Sequence, residues 1–228
     1  MEVERVRAEL KQQGWGLARG VPFMKEGRPV PSEVLALAAR FGRPSTRDGG
    51  RAVWPVRPSL GDPAATFSLR AGPAAFHTDA QYHRDPEPLV CLFVVRPARD
   101  GGDSMLLSAR AAADRAEALS AVNRRLLSEP CWFWRPPAPY EHTAPAWRAP
   151  VFAGDGTVRW RADTLAPDLP RQVLQAGRAF AACLQDADAT TIEQRAGDLL
   201  LIDNHRALHA RTGFTDRGRL LLRVRLWT

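Results

Sequence analysis

From Arg219 to Trp227 the chain alternates with period two: Leu220, Leu222, Val224 and Leu226 share one face of an extended strand, and Arg219, Leu221, Arg223, Arg225 and Trp227 share the other. The aliphatic face is a core stripe that must be covered. The opposite face carries guanidinium groups where a barrel interior would lie, and a buried guanidinium needs an anionic partner. Such a strand either exposes its arginines, pairs them with Asp or Glu, or encloses a fixed carboxylate ligand. Exposure or pairing suits Arg225, whereas a ligand is the better account of Arg219 and Arg223.

The rest of the chain is ordinary globular material. It has 228 residues, 45% of them hydrophobic and 25% charged, enough to bury roughly 70% of its extended surface without a disulfide or metal staple. Residues 1–228 are expected to form a single domain, since no repeat or low-complexity linker divides them. The 32 basic residues outnumber the 25 acidic ones for a net charge of +7, and only Lys11 and Lys25 are lysines. A GC-rich coding bias yields that skew as readily as selection for an anionic partner. No zinc-finger spacing, RNA-binding aromatic motif or lysine–arginine cluster accompanies it, so no nucleic-acid partner is expected. Cys91, Cys131 and Cys183 are widely spaced and odd in number, which suits reduced, structural thiols. The charged start lacks a signal-peptide core, and the longest apolar run, residues 89–95, is too short to span a membrane. A cytoplasmic protein without membrane association is expected.

Composition and punctuation predict a helix over residues 2–12, a strand over 15–21, and a helix over 33–41 capped by Ser32. Residues 45–73 read as loop or short strands, 89–96 as a buried strand, 109–127 as helical, and Asp155-Gly156 as a hairpin turn. Residues 169–184 have the spacing of an amphipathic helix, and 199–202 and 219–227 are strand-like. This predicts a mainly β domain with flanking helices.

Chemistry concentrates at His77-Thr78-Asp79. On an extended chain His77 and Asp79 project to one face and can hold a cation from adjacent corners, and a distant imidazole would complete a two-histidine, one-carboxylate face with open positions. His-x-Asp alone is weak evidence. His205 and His209 form a rival pair, four residues apart, that could bind zinc on a helix, but the preceding 199–202 run is strand-like and the accompanying Glu is absent. His83 and His142 suit substrate contacts or structural roles.

Longer stretches sharpen this. Phe76-His77-Thr78-Asp79-Ala80-Gln81-Tyr82-His83, Gly101-Gly102-Asp103-Ser104, Gly197-Asp198-Leu199 to Asn204 with Leu208-His209-Ala210-Arg211-Thr212-Gly213-Phe214, and Arg219-Leu220-Leu221-Leu222-Arg223 occur in that order. Together they resemble the taurine dioxygenase-like and clavaminate synthase-like family of Fe(II)/2-oxoglutarate-dependent oxygenases, over nearly the whole chain. The resemblance implies a double-stranded β-helix (jelly-roll, cupin-like) core, with His77, Asp79 and His209 as iron ligands. It implies that Ser104, standing where the family has Thr, and Arg219 or Arg223 hold 2-oxoglutarate. It further implies that dioxygen and 2-oxoglutarate are consumed to hydroxylate a C–H bond, with release of succinate and CO2. The carboxylate at position 79 argues against halogenation. Arg70, Gln81, Tyr82, Arg161 and Asp163 are candidate substrate contacts. Several arginines suit an anionic group and Asp163 an amino acid, so the expected partner is a small metabolite of specialised metabolism, free or tethered to an acidic carrier. The rival class is a jelly-roll binding protein whose metal is structural.

Overall fold

In the computed structural model, residues 3–47, 49–59, 66–136 and 147–228 are described. Helix α1 (Val3–Gln13) leads into β1 (Trp15–Ala18), the small ribbon β2 (Met24–Lys25) and β3 (Arg28–Pro29), and helix α2 (Pro31–Ala38). Then come β4 (Arg43–Pro44), β5 (Trp54–Val56), β6 (Ala74–His77), β7 (Leu89–Arg96) and β8 (Ser104–Ser108). Helices α3 (Ala109–Ala116), α4 (Ala121–Ser128) and α5 (Arg171–Gln185) precede β9 (Thr190–Ile192), β10 (Leu199–Asp203), β11 (Ala207–Arg211) and β12 (Leu220–Trp227).

Two antiparallel sheets form the core. The larger runs β1-β10-β7-β12-β4, with β5 also on β12; the smaller runs β6-β11-β8-β9. This is the jelly-roll architecture the sequence implies. The alternation of β12 holds. Leu222, Val224 and Leu226 join Leu89, Cys91, Phe93, Leu199 and Leu201 in the cluster that packs on α1 and α2. Leu221 and the arginines face inward, where Val90, Leu106, Leu200, Ile202 and Ala207 fill part of the space between the sheets. The central strand β7 is covered on both faces, so it reads as a continuous apolar run rather than an alternating one. A third cluster, built on Trp132, Trp160, Phe180 and Leu184, seats α3 to α5 on the outside of the smaller sheet.

Two local expectations fail for identifiable reasons, and a third holds in reduced form. Helix α2 begins at Pro31 after Val30, with Ser32 inside the first turn and no side-chain cap, because proline's fixed φ makes it the better first helical residue. The helical stretch 109–127 is two helices, since Ser120 accepts from the Asn123 N–H and starts a second one, as Ser108 does from Ala111 for the first. The turn at Asp155-Gly156 exists, with Gly156 at φ 84°, but its arms share only the bridge Phe152–Val158. The cysteines are free, and burial pushes the Cys91 thiol up, which keeps it unreactive. Among the described residues no helix is long and apolar enough to cross a membrane.

Helix α1 lies directly on β1: a Cβ on Gly16 would stand 2.4 Å from the Val6 carbonyl oxygen, backbone that cannot give way. Gly16→Ala is therefore expected to cost about 1–3 kcal/mol, lowering Tm by roughly 2–4 °C per kcal/mol. Gly154→Ala, whose Cβ meets nothing within 4 Å, should leave the thermal transition in place.

Candidate metal centre and its pocket

Strands β6 and β11 pair antiparallel with His77 directly opposite His209. Such partners hold their Cβ atoms about 5 Å apart, and the two imidazoles sit 4.2 Å apart between ring centres. Two residues on, Asp79 comes back to the same side. The intervening Thr78 is pinned to Trp160, donating its N–H to the Trp160 carbonyl (2.8 Å) and accepting the Trp160 N–H on Oγ1 (3.2 Å). Asp79 Oδ1 lies 3.9 Å from His77 Nε2 and 4.0 Å from His209 Nε2. One ligand atom from each residue falls within 4.8 Å of the others, so the cluster can hold a metal ion.

The neighbouring groups set the charge states this requires. His77 Nδ1 lies 2.8 Å from the Ala75 carbonyl oxygen, which can only accept, so Nδ1 carries the proton and Nε2 keeps its lone pair. Burial, then the adjacent His209 and Arg161, hold His77 well below its usual pKa; burial and Arg223 do the same to His209, against the pull of Asp79. Burial raises the Asp79 carboxyl, but the Arg223 guanidinium beside it opposes this most strongly and the group stays ionised. Two neutral imidazoles and one carboxylate are the protonation states a divalent cation needs. Arg223 Nη1 lies 3.0 Å from Asp79 Oδ2, leaving Oδ1 turned toward the histidines.

Asn204 anchors this arrangement from behind. Its Oδ1 accepts the Asp79 N–H (2.7 Å), and its Nδ2 donates to the carbonyls of Asp79 and Glu87 (both 2.9 Å). Below it, buried Glu87 pairs with Arg225 (3.2 Å) and accepts from Ser45 Oγ (2.6 Å). Arg225 is thus a paired arginine, and the acid it pairs with is distant in sequence.

The cluster opens on a cavity of about 850 Å³, mouth included. Its inner end is built from Ser104 and Arg219, joined through a residue with no sequence signal, Gln194. Gln194 Nε2 donates to Ser104 Oγ (2.9 Å), and its Oε1 accepts from Arg219 Nη2 (3.1 Å), which also donates to the Gly102 carbonyl (3.1 Å). Gly102 is required here: its φ is 76°, and a Cβ would stand 2.9 Å from Arg219 Nε. Arg219 is only 3% exposed, and its Nε and Nη1 have no partner among the described residues. Burial, and Arg211 nearby, pull its pKa down to about 9. A cation left this way is strongly destabilising unless an anion completes it.

The outer wall comes from residues 66–72. Phe67 meets His77 edge-on at 5.0 Å between ring centres, with Arg161 and Arg70 over its ring at 4.5 and 5.1 Å. Buried Arg211 holds this segment by donating to the carbonyls of Phe67, Arg70 and Gly72 at 2.9–3.1 Å. Its position in the His209 segment marked it in the sequence, but not that role.

His77, Asp79, His209, Ser104, Arg219, Arg223, Arg161 and Tyr82 all line one cavity. Gln81 does not: Ala80 takes the left-handed φ of 55°, which ends the strand alternation after Asp79, and Gln81 is fully buried with its Nε2 on Thr164 Oγ1 (2.8 Å). Arg70 and Asp163 stand behind the wall, paired at 3.5 Å. His205 lies in a turn with Nε2 on the Pro86 carbonyl (3.0 Å), and His209 is on a strand, so the helical zinc pair does not form. His83 packs its ring on Tyr82, and His142 lies outside the described residues.

The family model described as "Taurine catabolism dioxygenase TauD, TfdA family" matches residues 2–225. No curated protein matches the sequence. Among solved structures, asparagine oxygenase in complex with Fe(II), 3-hydroxyasparagine and succinate superposes with a TM-score of 0.79 at 21% identity, covering 100% of this chain and 78% of that one. The non-haem iron oxygenase OrfP with Fe and α-ketoglutaric acid gives 0.73 at 19% identity, covering 99% of this chain and 78% of that one. OrfP with Fe, succinate and a dihydroxyarginine gives 0.72 at 19%, with 99% and 79% covered. At these identities the likeness shows a shared fold.

Removing Asn204 should loosen the cluster without touching it. Asn204→Ala strands one donor and two acceptors in the interior and is expected to cost about 2–4 kcal/mol in urea unfolding. Divalent-metal affinity measured by titration should fall about 10–100-fold.

Proposed function

The chain belongs to the TauD, TfdA dioxygenase family, and from that premise we propose that residues 1–228 form a single Fe(II)- and 2-oxoglutarate-dependent oxygenase domain that hydroxylates a C–H bond of a small, amino-acid-like or anionic metabolite. One observation carries the reading. A buried His77–Asp79–His209 cluster and the uncompensated guanidinium of Arg219 open on the same cavity, which is what a ligand with a chelating end and a distant carboxylate requires. The donor set fits iron: two neutral imidazoles and a carboxylate on one side leave positions open on the other. A purely structural metal site closes its coordination with protein ligands, whereas this one faces open space.

When bound, Fe(II) together with 2-oxoglutarate and dioxygen supplies the oxidant for a C–H bond, and succinate and CO2 are the coproducts. The protein's own part is positional. His77, His209 and Asp79 would hold the iron, with Asp79 Oδ2 restrained by Arg223. Arg219 takes the distal carboxylate of 2-oxoglutarate on Nε and Nη1, assisted by the Ser104 hydroxyl, and Gln194 fixes the spacing between them. Leu92, Leu221, Val56 and Ala210 give the cavity an apolar lining that exchanges water for methylene groups. Tyr82, Arg161 and Phe67 also line the cavity, Phe67 meeting the His77 ring edge-on. The neighbours' complexes contain hydroxylated asparagine and arginine, which supports a small polar substrate. Asp79 occupies the position that a halide would need, which argues against halogenation. The protein acts in the cytoplasm, without a membrane or nucleic-acid partner.

Anaerobic addition of Fe(II) and 2-oxoglutarate should develop a weak visible charge-transfer band that is absent in His77→Ala and Asp79→Ala; a folded wild-type protein with no band contradicts the proposal. In the same assay Arg219→Ala should raise the 2-oxoglutarate concentration needed by roughly 30-fold or more, as expected for truncating one side of a buried charged pair. Arg223→Ala should change it far less. The reverse order would move the cosubstrate to Arg223.

A further inference from the structure

The charges around the cavity are unequal. Among the described residues its lining holds five guanidinium groups, Arg161, Arg211, Arg219, Arg223 and Arg225, and a single carboxylate, Asp79. The acids just behind the wall are already engaged. Both oxygens of Asp163 accept from Arg161, at 2.8 and 3.2 Å, and one also lies 3.5 Å from Arg70. Glu87 is fully buried against Arg225 and Ser45. Asp79 divides its oxygens between the imidazoles and Arg223. Two cations have no acid in hydrogen-bond contact: Arg211 is satisfied by backbone carbonyls, and Arg219 donates only to one carbonyl and one amide, with Asp103, which accepts the Gln194 N–H, as its nearby charge. They flank the Phe214 ring at 4.8 and 5.0 Å.

Resting on the oxygenase reading, we propose that this cavity takes a small organic acid that carries no free ammonium group, because its described lining offers guanidinium groups to an oxyanion and no available carboxylate to an ammonium. Fe(II) and the doubly charged 2-oxoglutarate cancel one another, so loading the site leaves the positive surplus in place. An α-ammonium group entering beside Arg161 or Arg223 would shed its water to sit among like charges. An acid whose nitrogen is absent or acylated meets only the favourable half of that field. Asp163, the residue best suited by type to hold an amino group, acts instead as the counter-ion of Arg161, with both its oxygens turned to guanidinium.

The test uses the full chain, loaded anaerobically with Fe(II) and 2-oxoglutarate and titrated with matched probes. One set is norleucine, N-acetylnorleucine and hexanoate; the other is homotaurine and butanesulfonate. The charge-transfer band reports binding, and aerobic succinate release reports turnover. Hexanoate, N-acetylnorleucine or butanesulfonate should shift the band at concentrations at least tenfold below those of the ammonium-bearing partner, and should stimulate succinate release. Equal or tighter binding of norleucine and homotaurine would overturn the inference while leaving the oxygenase reading intact. So would a loaded protein whose band no probe shifts. Failure of the band to form at all would remove the oxygenase reading and the inference with it. Asp163→Asn gives a second arm: it frees Arg161 and should tighten binding of the ammonium-free acids severalfold. A selective loss of norleucine or homotaurine binding in this variant would instead make Asp163 an ammonium acceptor, and the inference would fall.

Discussion

His77 faces His209 because β6 and β11 pair antiparallel in one register, and the chemistry of the molecule depends on that pairing. A one-residue slip would turn either imidazole to the other face of the sheet. The register is held from several sides. Strand β11 is paired along its length with β8 on its other edge, and Arg211 at its end ties down the segment that leads into β6. Asn204 binds the backbone of Asp79 from the turn before β11. The three side chains of the candidate metal cluster are therefore positioned by backbone pairing and by amide hydrogen bonds, and little is left to side-chain freedom.

The second constraint is the burial of arginine. Four guanidinium groups on the inner faces of β11 and β12 and in the turn before β12 are each resolved differently. Arg225 is matched by a buried glutamate, Arg223 by the metal-binding carboxylate, and Arg211 by backbone carbonyls. Arg219 meets no acid in hydrogen-bond contact, keeps both Nε and Nη1 without a hydrogen-bond partner among the described residues, and has a pKa pulled down to about 9. The difference is what singles out Arg219 for the proposed carboxylate ligand. It also gives the positive net charge a location: a functional part of it lies inside the cavity, where the low dielectric makes each charge count most.

Much of this was legible in the sequence where a short-range rule applied. The alternation of β12 and the apolar run of β7 appear as expected, and the residues singled out by the family resemblance, His77, Asp79, His209, Ser104 and Arg219, line one cavity. The rule failed where the chain left regular geometry. Gln81 was a candidate because it directly follows the metal motif, and the left-handed turn at Ala80 sends it into the interior instead. Asp163 matched an amino-group acceptor by residue type, but a bidentate contact two residues back occupies it. Gln194 carries no motif at all; only the pairing of β8 with β9 brings that part of the chain beside Ser104.

The sequence by itself determined which strand would face inward with arginines and which residue types could hold a metal, because period-two alternation and ligand chemistry are local properties. It set Arg225 apart as exposed or paired and left Arg219 and Arg223 as rival ligand groups, without showing what any of them, or Arg211, meets. Their separate roles depend on which distant groups approach each one: Glu87 from the loop before β7, Asp79 from the turn after β6, the carbonyls of residues 67–72, and the amide of Gln194. Those approaches are set by the packing of two sheets. A guanidinium's function follows from the anion or carbonyl within hydrogen-bond reach, so only the tertiary structure could decide it.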